Sequence, residues 1–457
     1  VQANKLLLIL FISSVGIDKS LYFTVLREMV PRSILYNVVP ISEEQVQMLT
    51  DLKKDFDFWT DVIDLEKNVR IMVAPDKEQE FEEYMTSVGL NLVGTIIKEI
   101  NQINMNFILI NAQLRPAAAG DQRSSLGSFE WTTYQTLDTI HAWLDELAEM
   151  YPDVVTTVNM GYSNERRSLK GVIIDFKPGQ RGDRPLTAMI EGGIHAREWI
   201  SPATVTWIIK EFLTSDDPRV RMLAESFVWH ILPVTNPDGY VYTWEENRMW
   251  RKNRNTAHFG NCSSNNDLSN GIDLNRNFDY LWMTTGASLD PCAETFAGPI
   301  PASEPETKAI ENYVLTLNRT SEVIYYFAFH SFSQMILIPY SHVGGEQVLE
   351  AENYGDLIPN LALTQYPTTV SGSSFDWVKG VANVPIVFLF ELRDVGEFGF
   401  LLPAEQIIPN NEEIIECLIE MDTVTRQMGY YQYSGSASVI ASLTTVVFGV
   451  AYLVMIL

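Results

Sequence analysis

Two of the six histidines in this 457-residue chain close apolar, strand-like runs. His195 follows LTAMIEGGI, with Glu198 three residues on, and His330 ends EVIYYFAFH. Imidazole and carboxylate are ligands that Zn²⁺ accepts. A His and a Glu three apart, joined by a third ligand from a distant strand, leave one tetrahedral position open for water. A surface pair with the same spacing is the plainer alternative, and the position at strand ends weighs against it. Glu391 ends the run VPIVFLF, where an ionised carboxylate needs a reason to be present. Beside an activated water it can serve as general base, taking the proton as water attacks a carbonyl and passing it to the leaving amine. An ion pair with Arg393 is its alternative. Two basic sets, Arg251-Lys252-Asn253-Arg254 and Asn275-Arg276-Asn277, have the chemistry to hold a carboxylate bidentately or to stabilise an oxyanion, and equally to form structural ion pairs. His230 lies inside an apolar strand and reads as a core histidine, while His141, His258 and His342 have no partner pattern.

Such residues need elements that bring them together. From Tyr134 onward, near-continuous apolar runs alternate with amphipathic helical patterns. That predicts an α/β domain with a mixed, largely parallel twisted sheet and helices on both faces. In such sheets ligands bind beyond the C-terminal strand ends, where His195, Glu198, His330 and Glu391 stand. Ser201 is the expected N-cap of the helix after Glu198, with Pro202 at its first position. Between Tyr36 and Ile100 the order β-α-β-β-α-β, with a Ser42/Gln45 capping box on its first helix, suggests a small α+β ferredoxin-like unit. The stretch LRPAAAGDQRSSLGS then reads as an exposed linker. Arg123 within it suits a trypsin-like cut, whereas Arg115 is followed by Pro116 and resists one; an inert linker is the alternative.

Length suits a domain of roughly 300 residues plus a smaller one. With 58 acidic against 32 basic residues, the net charge of -26 repels phosphate backbones and excludes nucleic acid as a natural partner. Three cysteines, Cys262, Cys292 and Cys417, do not make a disulfide scaffold. A lysine, the apolar run 6–12 and Ser14-Val15-Gly16 follow signal-peptide grammar, with a buried N-terminal element as the alternative. Asn261-Cys262-Ser263 and Asn318-Arg319-Thr320 have the form of glycosylation acceptors. Residues 439–457 are almost uninterruptedly apolar and follow Ser434-Gly435-Ser436-Ala437-Ser438. That suits a signal for GPI attachment, then a retained membrane anchor, then a buried last helix.

GGIHAREWISPA, NPDGY, WRKNR, DLNRNFD, AFHSFSQ and FELRD together resemble the zinc metallocarboxypeptidases of the carboxypeptidase A/B type, in matching order from Tyr36 to Tyr433. The resemblance implies Zn²⁺ on His195, Glu198 and His330, and Glu391 as the base. It implies that Arg254 polarises the scissile carbonyl, that Asn275 and Arg276 clamp the terminal carboxylate, and that Arg197 assists substrate approach. It also implies a Cys262–Cys292 disulfide, a free Cys417, and a pro-segment that covers the cleft until a trypsin-like protease cuts near Arg123. Two positions depart from the pattern. The family's mobile tyrosine falls where this chain has Thr368, so Tyr366 fills that role only if two residues are inserted, and Phe332 stands where a tyrosine is usual. Enzymes of this type that cut after basic residues carry an Asp where this chain has Phe375; with Ser341 and Leu389 also lining the pocket, apolar C-terminal residues are expected.

The expected division is a signal peptide over residues 1–17, a pro-segment with linker over 18–123, a catalytic domain over 124–433 and a hydrophobic tail over 434–457. The expected function is a secreted or surface-tethered, monomeric zinc metallocarboxypeptidase precursor acting on peptide C-termini. A tethered peptide-binding protein with the same fold and little or no turnover is the alternative from another class.

Overall fold

The computed structural model describes residues 34–53, 56–60, 63, 65–73, 77–90, 92–95, 125–257, 271–342, 363–365 and 369–432. The expected signal peptide and tail, Arg123, Cys262 and Tyr366 lie outside the described residues. The chain divides into two compact units, Val1–Asn111 and Ala112–Leu457.

In the first unit β1 (Ile34–Val38), α1 (Glu43–Leu52), β2 (Asp57–Phe58), β3 (Val69–Val73), α2 (Glu78–Ser87) and β4 (Leu92–Thr95) follow the predicted order. The strands lie in the order β2-β3-β1-β4, every pair antiparallel, which is the ferredoxin-like arrangement. Ser42 Oγ accepts from Gln45 N and Gln45 Oε1 accepts from Ile41 N, so the capping box forms with its return bond one residue upstream of the cap. Phe81 and Met85, four apart on α2, meet Val38, Ile71 and Val73 in the core.

In the second unit a hairpin of β5 (Ser125–Leu126) and β6 (Phe129–Glu130) precedes α3 (Leu137–Met150), whose cap Thr136 accepts from Thr139 N. There follow β7 (Val155–Tyr162), β8 (Ser168–Ile174), β9 (Leu186–Gly192), α4 (Ile200–Thr214), α5 (Pro218–Ser226), β10 (Val228–Leu232) and α6 (Pro237–Glu245). The unit continues with α7 (Pro305–Thr320), β11 (Glu322–Ser331), β12 (Met335–Ile338), β13 (Leu363–Gln365), α8 (Ser374–Gly380), β14 (Ile386–Leu392) and α9 (Ile407–Gln427). Eight strands form one mixed sheet in the order β13-β12-β14-β11-β9-β10-β8-β7. The pairs β12/β13, β14/β11, β11/β9 and β9/β10 are parallel, and the other three are antiparallel.

The central strands are apolar throughout because both faces are covered. On β11, Tyr326 and Ala328 join a core with Ile310 and Val314 of α7 and Phe375 and Val378 of α8. The alternate residues Tyr325, Phe327 and Phe329 face the other way, where Tyr325 Oη donates to Asp422 of α9 (3.1 Å) and Phe329 stacks on Phe390 (4.7 Å). This matches the expected α/β class. Among the described residues no helix is long and apolar enough to cross a membrane.

Candidate metal centre and substrate site

The parallel strands β9, β11 and β14 end at one edge, and their last residues carry the chemistry. β9 runs into Gly193, whose φ of +61° suits glycine; a Cβ there would meet Pro202 and the Pro233 carbonyl at 3.1 and 3.2 Å. Ser201 does not cap α4, contrary to expectation, because the helix begins at Ile200 and the cap position falls on Trp199. Instead Ser201 Oγ accepts from Gly193 N (2.9 Å) and donates to Phe329 O (2.6 Å), pinning the turn that carries His195 to the strand that carries His330.

His195, Glu198 and His330 are all buried, and one ligand atom from each lies within 4.8 Å of the others. His195 Nδ1 is 2.8 Å from Glu198 Oε1, His330 Nδ1 is 3.2 Å from Glu198 Oε2, and the two Nδ1 atoms are 3.1 Å apart. Two imidazole nitrogens facing each other beside a carboxylate, away from water, fit a divalent cation of the zinc type. Burial alone would raise the Glu198 carboxyl, but the two imidazoles outweigh it and hold the group below the usual carboxylate range. Burial lowers His330, which favours the neutral, ligand-competent ring.

Asp273, which the sequence alone does not single out, packs against this cluster. Its Oδ1 is 3.1 Å from His195 Nε2, while its Oδ2 accepts from Arg251 Nε and Nη2 (3.1 and 3.0 Å). A carboxylate behind a metal-ligating histidine fixes its tautomer and ring orientation. Burial pushes against ionisation of Asp273, yet Arg251, Arg276 and His195 together hold it well below its ordinary value. The available signal was an Asp two residues before Asn275, inside a motif read for its Asn and Arg.

The basic sets divide. Arg251 is the structural pair just described, and Lys252 Nζ donates to Pro291 O and Ala293 O (2.9 and 3.1 Å). Arg254 instead lies over the rings of Tyr242 and Trp250, at 3.6 and 4.4 Å, and its buried Nη1 has no hydrogen-bond partner. Asn275 Oδ1 accepts from Ser374 N (2.9 Å), so its donor group is Nδ2. Arg276 is buried and donates through Nε to Gly286 O and through Nη1 to Asn275 O (both 3.0 Å). Gly372, at φ +73°, crosses so near that a Cβ would meet Arg276 O at 2.3 Å. Arg197 is buried, with its guanidinium on the Phe400 ring (4.2 Å) and 3.4 Å from Glu294.

Glu391 is the register partner of His330 across β14 and β11, and partners in a parallel pair project to the same face. Arg393, the alternative partner considered for Glu391, turns away to Glu413, with Nε 3.1 Å from Glu413 Oε2. Phe375 and Leu389 are fully buried within one apolar cluster, and Ser341 Oγ donates to Asp376 Oδ2 (2.6 Å). Cys292 is disulfide-bonded and Cys417 is free. His230 is a satisfied core histidine, 2.7 Å from Tyr313 Oη, and burial lowers it to about 4. Asn318 Nδ2, the atom a glycan would take, donates to Ala382 O (2.6 Å) in the last turn of α7.

Residues 140–416 match the zinc carboxypeptidase family, and residues 36–93 match the carboxypeptidase activation peptide. The chain belongs to the zinc carboxypeptidase family. It is 37% identical over 418 residues to zinc carboxypeptidase A 1 of Anopheles gambiae, covering 87% of this chain and 90% of that protein. It is 33% identical over 401 residues to carboxypeptidase B of Rattus norvegicus, covering 83% and 90%. Among solved structures, carboxypeptidase A of Helicoverpa armigera superposes with a TM-score of 0.75 at 26% identity, covering 88% of this chain and 100% of that one. Thrombin activatable fibrinolysis inhibitor superposes with a TM-score of 0.71 at 28% identity, covering 86% and 98%. The protein is therefore a zinc carboxypeptidase precursor with an activation peptide. The names of its relatives include both the A and B types, so the terminal side chain it prefers must be argued from its own pocket.

This carboxypeptidase also buries three neighbouring acids, Asp238, Glu304 and Glu306. Asn253 Nδ2 donates to Glu304 Oε2 (2.7 Å), and Glu306 Oε1 accepts from Asn164 N (2.9 Å). Burial, with Glu304 and Asp238 nearby, pushes Glu306 up to about 8. A buried acid raised in the folded state keeps a proton that the unfolded chain releases, so its contribution to stability falls as pH rises from about 4.5 to about 8. Glu306→Gln removes that term. Its melting temperature should match wild type near pH 4 and exceed it near pH 8.5, by an amount of order a few kcal/mol in stability. Parallel melting curves across that range would exclude this titration.

Proposed function

We propose that this carboxypeptidase removes single apolar residues from peptide C-termini after a trypsin-like cut near Arg123, with Glu391 as general base. The observation that carries the reading is the convergence of three metal-ligand atoms at the strand edge, with Glu391 in register beside His330. Bound zinc supplies a Lewis acid for the scissile carbonyl and for the attacking water. His195, Glu198 and His330 hold it, and Asp273 orients His195.

Asn275 and Arg276 anchor the terminal carboxylate through amide and guanidinium donors, and this anchoring selects the last peptide bond. Arg254 donates to the carbonyl oxygen as it gains charge. Glu391 accepts a proton from water as the C–O bond forms and returns it to the amide nitrogen as the C–N bond breaks. The products are a peptide one residue shorter and a free amino acid. Arg197, on its Phe400 shelf, guides the chain before the scissile bond, and Tyr366 is the candidate for the mobile tyrosine.

Phe375, Leu389 and Ser341, taken as the floor of the site for the terminal side chain, carry no charge. Asp376, the nearest acid in sequence, is already bound by the Ser341 amide and hydroxyl. A Lys or Arg terminus would bury its charge there without a partner. We read the chain as secreted, with a Cys262–Cys292 disulfide and a C-terminal tail that tethers it to the cell surface. The filled pocket floor also favours a second reading, a tethered peptide-binding protein with little turnover.

Blocked dipeptides ending in Phe, Leu, Val, Lys or Glu, assayed before and after trypsin, separate the two. Trypsin-dependent release of an apolar residue is expected. No release from any of them by folded, zinc-loaded, trypsin-cut protein would favour the binding protein.

A further inference from the structure

We infer that Arg248 is a positioning residue for the metal centre, its buried guanidinium fixing the turn between His195 and Glu198 so that both present their ligand atoms together. The inference rests on the zinc reading of those residues given above. Arg248 Nη1 donates to Arg197 O (2.8 Å), a carbonyl inside that turn, and Nη2 donates to Phe400 O (2.6 Å). Its guanidinium lies 3.8 Å from the Trp199 ring centroid, one residue past Glu198.

The chemistry of the site is unusual for an arginine. Arg248 is buried, its Nε has no partner, and the charged or titratable groups acting on it among the described residues are Tyr134, Tyr240 and Arg197, none of them a carboxylate. Burying a guanidinium without a counter-charge is costly, and an apolar side chain would fill the space more cheaply. What the guanidinium alone offers is a planar fork that reaches two carbonyls at once.

Those carbonyls belong to the segments that must be held together. Within the turn Glu198 N reaches His195 O at 3.3 Å and Trp199 N donates to Arg197 O at 3.0 Å, so Arg248 adds a second donor to that carbonyl, while Ala196 N is tied outward to Arg251 O (3.0 Å). The second carbonyl belongs to Phe400, whose ring meets Arg197 at 4.2 Å and Phe332 at 4.9 Å; Phe332 lies two residues past His330. One side chain thus spans from the His195/Glu198 turn to the packing beside the third ligand. Lysine would keep the charge as a point donor and lose the planar fork that spans both carbonyls.

The test uses the full chain with Arg248→Lys and Arg248→Gln. The dissociation constant for Zn²⁺ is measured by competition with a chromogenic chelator, and melting temperatures are recorded with and without zinc. Positioning predicts zinc binding weakened about 10–100-fold in both variants and a smaller zinc-induced rise in melting temperature. If Arg248→Gln does not fold, Arg248→Lys decides, since it retains the charge but not the planar fork. A structural role alone would lower the apo and zinc-bound melting temperatures equally and leave the zinc constant at the wild-type value, and that result overturns the inference. Neither readout needs peptide hydrolysis, so a chain that binds zinc but cleaves nothing would refute the proposed function and leave this test intact.

Discussion

Glu391→Gln is expected to lower kcat/KM for peptide hydrolysis by about 10²–10⁴-fold while zinc affinity stays within a few-fold of wild type. Gln keeps the shape of Glu and one acceptor oxygen but takes no proton at neutral pH, so the attacking water loses its base and the leaving amine its acid. The substitution sits at the end of β14, beside His330 in register but outside the set of three that converges on one point. Metal binding and catalysis should therefore separate at this residue. Activity of the variant within a few-fold of wild type would remove Glu391 from the mechanism. A loss of zinc along with activity would make it part of the metal centre instead.

Removing zinc is expected to reduce hydrolysis to background, to be reversed by added Zn²⁺, and to destabilise the fold. The buried cluster holds one carboxylate and two imidazole nitrogens within 3.2 Å of one another, a grouping that a cation favours and its loss leaves uncompensated. A metal at 1,000 times its dissociation constant stabilises the native state by about 4 kcal/mol, which a melting curve reads directly. His330→Ala should abolish most of that zinc-induced shift, because two ligands remain. Equal melting temperatures with and without metal, or activity that survives exhaustive treatment with phenanthroline, would contradict a zinc mechanism.

The site was legible in the sequence where a local pattern carried it. His195 and His330 end near-continuous apolar runs that read as covered strands, and Glu391 ends a third, so the sheet's edge and its candidate ligands could be read together. Ser201 was misjudged for an instructive reason. The residue type and its place before a proline are those of a cap, but its hydroxyl is used by Phe329, 128 residues away. Asp273 has no local signature for the same cause: His195 and Asp273 are 78 positions apart. Within Arg251-Lys252-Asn253-Arg254, four polar residues in a row look alike as text, and only the fold shows that the first three spend their donors on Asp273, on backbone carbonyls and on Glu304. The ferredoxin-like unit was the easiest to read, because its capping box and its i, i+4 apolar pair are local.

On the proposed mechanism Asn275 and Arg276 recognise a free terminal carboxylate while zinc and Glu391 cleave the bond next to it. Two synthetic peptides of one sequence ending in Leu, one with a free C-terminal acid and one with a C-terminal amide, test it most directly when incubated with the trypsin-activated protein and followed by mass spectrometry. Loss of the terminal Leu from the acid and an intact amide are expected. Equal cleavage of both, or cuts at internal bonds, would contradict it.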